Sequence, residues 1–414
     1  MLQFSKSDFD TDKMLVHRIP HEGCPSTTAS ETRHYEFNVT HERTGKNWWY
    51  FRDHFDPKWR KNLRGLITID QGNYNQTSDI EVHVIISSND ERDLENLKSF
   101  KSSVDPAMEL DYNFEDIDGL CTEVEVRILL RSWYSRSLPC WGIDTSILDI
   151  EYLAEYIWEV DTFEAHITYG YFYMEWQNNS IVAHNISVSS QYGTMTGWWF
   201  LDQYLQLNNK EGGIGVFLFP RHPGHPFDLK GISLINESGE IFVRYAMAYW
   251  PMRSFAHETT IKTTSGDIFA WIPHGKKTDI SSTGGNIDVS MVAYSDTALG
   301  MANEIYTRSI TGDIYLYLDS SQPESFGEYP NPLLNTSGRH TVSEGKLRVS
   351  YAPQWWGVME VRIEKGTLEL NGSHLENVNV GEGYVKAKRG KIGTFYTKAD
   401  VGTGSIYIDL SQEK

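Results

Sequence analysis

A short pattern recurs through the second half of the chain: a usually polar residue, glycine, one variable residue, then Ile or Leu. The copies are Ser238-Gly239-Glu240-Ile241, Ser265-Gly266-Asp267-Ile268, Gly284-Gly285-Asn286-Ile287 and Thr311-Gly312-Asp313-Ile314. They continue as Glu344-Gly345-Lys346-Leu347, Lys365-Gly366-Thr367-Leu368, Arg389-Gly390-Lys391-Ile392 and Thr403-Gly404-Ser405-Ile406. Glycine supplies the positive φ of a tight turn, and Ser, Thr, Asp or Asn beside it can bond the turn backbone. The residues that follow alternate, as in Ile268/Ala270, Ile287/Val289, Ile314/Leu316 and Leu347/Val349. A period of two puts those side chains on one face of a strand.

The turn glycines lie 27, 19, 27, 33, 21, 24 and 14 residues apart. Stacked β-rungs fit these spacings, each burying its apolar face against its neighbours. The fold expected is therefore all-β and solenoid-like, with a β-sandwich or meander as the alternative. Three regions are expected: a poorly ordered segment over 1–30, a less regular β-rich region over 31–179 and the repeat array over 180–414. Within the second, Leu66–Ile69, Ile80–Ser87 and Val124–Leu130 read as strands. Asp90–Lys101 reads as a short helix, acidic at its start and basic at its end. Ile147–Val160 fits helix or strand, and 320–342, with Pro323, Pro330 and Pro332, reads as a loop.

Composition narrows the function. The 414 residues carry a net charge of −19, which disfavours nucleic acid and anionic lipid as partners. No apolar run approaches the roughly 20 residues of a membrane helix. Cys24, Cys121 and Cys140 are too few for a disulfide scaffold; short spacing favours Cys121 with Cys140 as any single bridge, with three buried thiols as the alternative. Sequons at Asn38, Asn75, Asn178, Asn185, Asn236, Asn335 and Asn371 are glycosylation candidates and point to an extracellular or cell-surface protein. The start lacks the apolar core of a signal peptide, which keeps a cytoplasmic location as the alternative.

Tandem tryptophans occur at Trp48-Trp49, Trp198-Trp199 and Trp355-Trp356. Neighbours on a strand face opposite ways, so each pair offers a core ring and a ring for stacking on sugar. All six are candidate ligand-binding residues, with the core as the other reading. His222 and His225 sit in a Pro-rich turn without a third ligand, and Asp8-Phe-Asp-Thr-Asp12 lacks the glycine and closing Glu of a calcium loop. No metal site and no cofactor are expected. The turn carboxylates Glu240, Asp267 and Asp313 read as turn chemistry, or as an acidic ladder if the rungs stack. No GxSxG, HExxH or phosphate-binding Gly loop is present, so no catalytic residue is assigned.

The stretches HETTIKTTSGDIFAWIPHGKKTDISSTGGNIDVSM (257–291), SITGDIYLYLD (309–319), HTVSEGKLRVSYAPQWWGVMEVRIEKGTLELNG (340–372) and VGTGSIYIDL (401–410) resemble the putative-adhesin superfamily, a domain of unknown function. The fungal branch looks closest. The resemblance implies a β-repeat fold in a secreted or cell-surface protein and carries no catalytic residue. The function expected is a non-catalytic adhesin-like binding or structural protein whose partner is a polysaccharide or cell-wall glycan, or another surface protein. The alternative is a carbohydrate-active enzyme, a glycoside hydrolase or lyase, on a β-solenoid.

Overall fold

The computed structural model describes residues 29–38, 48–102, 106–112, 119–131, 137–154, 158–174, 181–220, 229–245, 257–293, 302–320, 333, 335–352, 355–390 and 395–410. These residues are almost entirely β, with only two single-turn 3-10 segments, and no helix among them is long and apolar enough to cross a membrane. The chain forms two compact units that divide between Trp199 and Phe200.

The first unit contains β1 (Ala29–Phe37), β2 (Trp48–Asp53), β3 (Leu63–Gln71), β4 (Ile80–Ser88), β5 (Leu97–Lys101), β6 (Ala107–Tyr112) and β7 (Thr122–Leu130). It continues with β8 (Ser137–Thr145), β9 (Leu148–Tyr152), β10 (Glu159–Tyr169), β11 (Phe172–Met174), β12 (Val182–Tyr192) and most of β13 (Met195–Leu201). One parallel series runs β6, β2, β8, β10, β12. A second runs β7, β3, β9, β11, β13. Antiparallel strands finish both: β5 on β6, β4 on β7, and β1 on β4. Between the two series lies a run of aromatic rings, with Trp49, Trp141, Phe163, Phe172 and Trp199 each 5.3–6.3 Å from the next.

The second unit realises the repeat. Each rung has a leading strand, a glycine corner and a trailing strand. The leading strands begin with β14 (Tyr204–Glu211), β16 (Gly231–Ser238), β18 (Glu258–Ser265), β20 (Lys277–Ser282) and β22 (Asn303–Thr311). Their trailing partners are β15 (Ile214–Pro220), β17 (Ile241–Tyr245), β19 (Ile268–His274), β21 (Ile287–Ala293) and β23 (Ile314–Ser320). In β24 (Thr336–Tyr351), β25 (Gly357–Asn371) and β28 (Phe395–Asp409), one long strand passes through the corner and serves both series. Pairing is parallel throughout both stacks, which excludes the sandwich or meander for these rungs. In this unit the parallel stacking order departs from chain order at β28, which lies between β24 and β25. The antiparallel β27 (Tyr384–Arg389) and β26 (Leu375–Gly381) then cover β25.

The corners explain the motif. Gly266 has φ 148°, and a Cβ there would meet the Gly239 carbonyl oxygen at 2.1 Å. The same contact recurs from Gly285 to Gly266, Gly312 to Gly285 and Gly345 to Gly312. The glycines thus stack as a spine that admits no side chain. Backbone bonds run along it, from Gly239 N to Ser265 O (2.7 Å) and from Ile268 N to Asn286 O (2.8 Å). Two side-chain ladders flank the spine. Outside, Asp267 Oδ1 accepts from Asn286 N (2.7 Å), Asn286 Oδ1 from Asp313 N (2.9 Å), and Asp313 Oδ1 from Lys346 N (2.8 Å). Inside, three residues before each glycine, Asn236, Thr263, Ser282 and Ser309 donate to the carbonyl of the previous rung's glycine at 2.7–3.4 Å. From Gly212 to Gly345 each rung therefore helps satisfy its neighbour's turn, as buried backbone requires.

Several sequence expectations are corrected. Asp90–Lys101 is a 3-10 turn at Glu91–Glu95 followed by strand β5. The reason is Asp93, whose carboxylate is pulled into the core to accept from Ser88, Tyr112 and Thr122. Ile147–Val160 resolves as β9, buried along its whole length, and the start of β10. Residues 29 and 30 begin β1, and strand β24 starts at Thr336 inside the expected loop. Gly390 is not in the spine; it packs against Trp356. Cys121 is disulfide-bonded while Cys140 is a free thiol hydrogen-bonded to Tyr50, so the two do not pair. Cys24, Asp8–Asp12, His222, His225 and Asn178 lie outside the described residues.

A candidate ligand face on the second unit

Trailing strands point Ile268, Ala270 and Ile272 inward and Phe269 and Trp271 outward. On β23 the outward pair is Tyr315 and Tyr317. Outward positions of a strand are ordinarily polar, yet these four rings are each 37–40% exposed. Parallel register aligns them into two columns. One column reads Phe242, Phe269, Asp288, Tyr315, Arg348, and the other reads Phe217, Arg244, Trp271, Ser290, Tyr317. Rungs repeat at about 4.8 Å, so the two aromatic pairs stand roughly 10 Å apart. Asp288 and Ser290 form the floor between them.

The surroundings hold this arrangement. The Arg244 guanidinium lies over Trp271, 4.5 Å from the ring centroid, and the Phe217 and Phe242 rings are 6.2 Å apart. Tyr315 donates to Asp313 Oδ2 (3.2 Å). Partial burial raises the Asp288 pKa from its ordinary value. A carboxylate and a hydroxyl between ring faces can accept and donate hydrogen bonds to a polyol while the rings cover its C–H face. The register neighbours of Asp288 are Phe269 and Tyr315.

The tandem tryptophans divide as alternation requires, but the division removes half of them as ligand residues. Trp49, Trp199 and Trp355 are at most 1% exposed and pack in aromatic cores, Trp355 against Tyr351 and Phe395. Such rings have no face open to a ligand. Trp48 and Trp198 are half-buried, and Trp356 is exposed beside Gly390. Asn236 is also corrected: its amide is buried in the inner ladder, where no glycan can be attached. Asn38, Asn75, Asn335 and Asn371 are exposed, and Asn185 donates to the Asp161 carbonyl (3.2 Å). Of the turn carboxylates, Asp267 and Asp313 are engaged in the outer ladder.

Sequence reasoning missed Phe269, Trp271, Tyr315 and Tyr317. The signal was present in IFAWI and IYLYL, where the repeat places aromatics at positions that should be polar. A second concavity of about 920 Å³ lies near the β26–β27 turn, lined by Arg362, Tyr384, Asp400 and Glu382 among others. Its one ring, Tyr384, has the Arg362 guanidinium 5.6 Å from its centroid.

No protein-family model matches the chain, and no curated protein matches it in sequence. Solved structures give distant matches. A putative cell adhesion protein of Clostridium sporogenes is 9% identical, over 92% of this chain and 99% of that one, with a TM-score of 0.20. Putative adhesins of Parabacteroides merdae and Bacteroides fragilis are 11% and 12% identical, each over 71% of this chain and 95% of theirs, with TM-scores of 0.27 and 0.29. All three are bacterial, so the fungal branch finds no support among them. At such scores the likeness establishes no shared detail, and the ligand face stands on its own geometry.

Proposed function

We propose that the chain is a non-catalytic, adhesin-like binding protein of the cell surface or extracellular space that takes a glycan on the trailing face of its second unit. The observation that carries this reading is the alignment of Phe269 and Trp271 with Tyr315 and Tyr317 across the Asp288–Ser290 floor. A parallel sheet presents these rings without the ordering cost that a loop would add. Cys121 in a disulfide agrees with an oxidising compartment. The partner is a neutral or cationic polysaccharide, since the chain carries a net charge of −19.

The test is affinity electrophoresis and calorimetry of the purified protein on fungal, plant and bacterial wall polysaccharides, with product analysis. Retention without released oligosaccharide, lost in Trp271→Ala, supports the reading. Released oligosaccharide would replace it with the enzymatic one, and retention unaffected by Trp271→Ala with Tyr317→Ala would remove this face as the site.

A further inference from the structure

The first unit carries a different chemistry on the outer side of β1 and β4. These strands pair antiparallel, with His34 opposite His83 and Glu36 opposite Glu81. Directly opposed side chains share a face. Four groups of ligand type therefore occupy one two-by-two block. His34 Nε2 is 3.3 Å from Glu36 Oε1, and His83 Nε2 is 3.9 Å from Glu81 Oε2. The two imidazole centroids are 4.6 Å apart, edge to face. Ligand atoms of His34, Glu81 and His83 all lie within 4.8 Å of one another.

Two imidazoles and two carboxylates are a donor set suited to zinc-type ions. Tetrahedral N and O ligands at about 2.1 Å from a zinc ion stand roughly 3.4 Å from each other. His83 Nε2 is shielded from solvent and makes no hydrogen bond among the described residues. Arg127 stands opposite His83 on β7, and its guanidinium donates to Glu125 at 2.5 Å.

We propose that His34, His83 and Glu81, with Glu36 as fourth ligand, bind one divalent transition-metal ion of the zinc class. Among the described residues β1 pairs with β4 alone, so the ion cross-links an edge strand to its only sheet partner. The site is independent of the glycan face and lies in the other unit.

The experiment uses the full chain without an affinity tag. Zn²⁺ alone is titrated by calorimetry, and melting is followed with and without it. The expected result is uptake by the wild type, a rise in melting temperature with Zn²⁺, and at least tenfold weaker binding in His83→Gln and in His34→Gln. His54→Gln, which removes a lone histidine beside Glu109, leaves uptake unchanged. Co²⁺ in place of Zn²⁺ gives the wild type a visible absorption band of a four-coordinate site, a readout that needs no variant. Equal Zn²⁺ uptake by the wild type and the His34→Gln/His83→Gln double variant overturns the proposal, as does a folded wild type without the Co²⁺ band.

Discussion

The leading and trailing sheets of the second unit share the same rungs, the same glycine spine and the same core, yet their outer faces differ. The leading face is charged and internally paired: Lys262 reaches Asp279 at 2.8 Å, Lys386 reaches Glu360 at 2.7 Å, and Tyr396 donates to Glu360 at 3.0 Å. The trailing face spends the equivalent positions on Phe269, Trp271, Tyr315 and Tyr317. The leading face carries exposed rings singly, Tyr204 on β14 and Tyr396 on β28, whereas β19 and β23 each set two on one strand. A fold that is indifferent to its outward positions leaves them to function, so the asymmetry between faces is the informative feature.

The largest test removes the common support of both faces. Ile268 is fully buried between Ile241 and Ile287, and Ile268→Asp is expected to cost about 4 kcal/mol or more by burying an unpaired carboxylate. Urea unfolding should show the loss, and a variant with wild-type stability would remove Ile268 from the core.

Acid should act next, on the core and on neither face. Burial lowers the pKa of His257 to about 3, of His274 to about 4 and of His340 to about 3. His340 is held between Thr307 (2.8 Å) and the Tyr351 hydroxyl (2.7 Å). The unfolded chain protonates these groups near pH 6.5 and the folded one does not, so their stability is full above pH 6.5 and falls as pH drops towards 3. At pH 5 the loss is about 2 kcal/mol per histidine. Asp53, buried and raised to about 6, has the opposite sign in the first unit: its contribution declines as pH rises from 3.8 through 6. Melting curves from pH 7.5 to 4.5 should show the second unit weakening on acidification, and a flat profile there would contradict the burial of these imidazoles.

Trp271→Ala should weaken glycan retention about tenfold, the loss of one stacked ring. Lys262→Ala on the leading face should change retention less than twofold and stability by about 0.5 kcal/mol or less, because an exposed ion pair contributes little. Equal losses from the two variants would erase the distinction between faces. Between these in stability lies Asp267→Ala, expected to cost about 1 kcal/mol for one charged bond to a backbone N–H. Asp267→Asn should be nearly neutral, since Asn286 already fills the same place in the ladder.

The array was readable in the residues because its causes are local. A glycine with positive φ, a polar neighbour and strict alternation announce a rung wherever they occur. Gly170, Gly193 and Gly212 turn the same way: Phe172 and Met195 stand where the motif has Ile or Leu and so mask the first two, while Glu211-Gly212-Gly213-Ile214 fits the motif. Asn236 reads as a sequon, and only the stacked fold shows it as a rung of the inner ladder. The ligand face was legible in part: the alternation of IYLYL names the outward rings, but register decides that Asp288 falls between them. The His34–His83 pair was invisible, since two residues 49 positions apart meet only through antiparallel pairing.

The placement of β28 has a consequence for how the molecule is made. A ribosome delivers β24 and β25 before β28, yet both make their parallel contacts to it. Until residues 395–409 have emerged, the growing stack has an open slot, and the rung at β25 has no parallel neighbour to template it. The order of synthesis and the order of assembly therefore diverge at this point. The outermost rung is a late step that waits on a long-range contact, the kind of closure that slows folding.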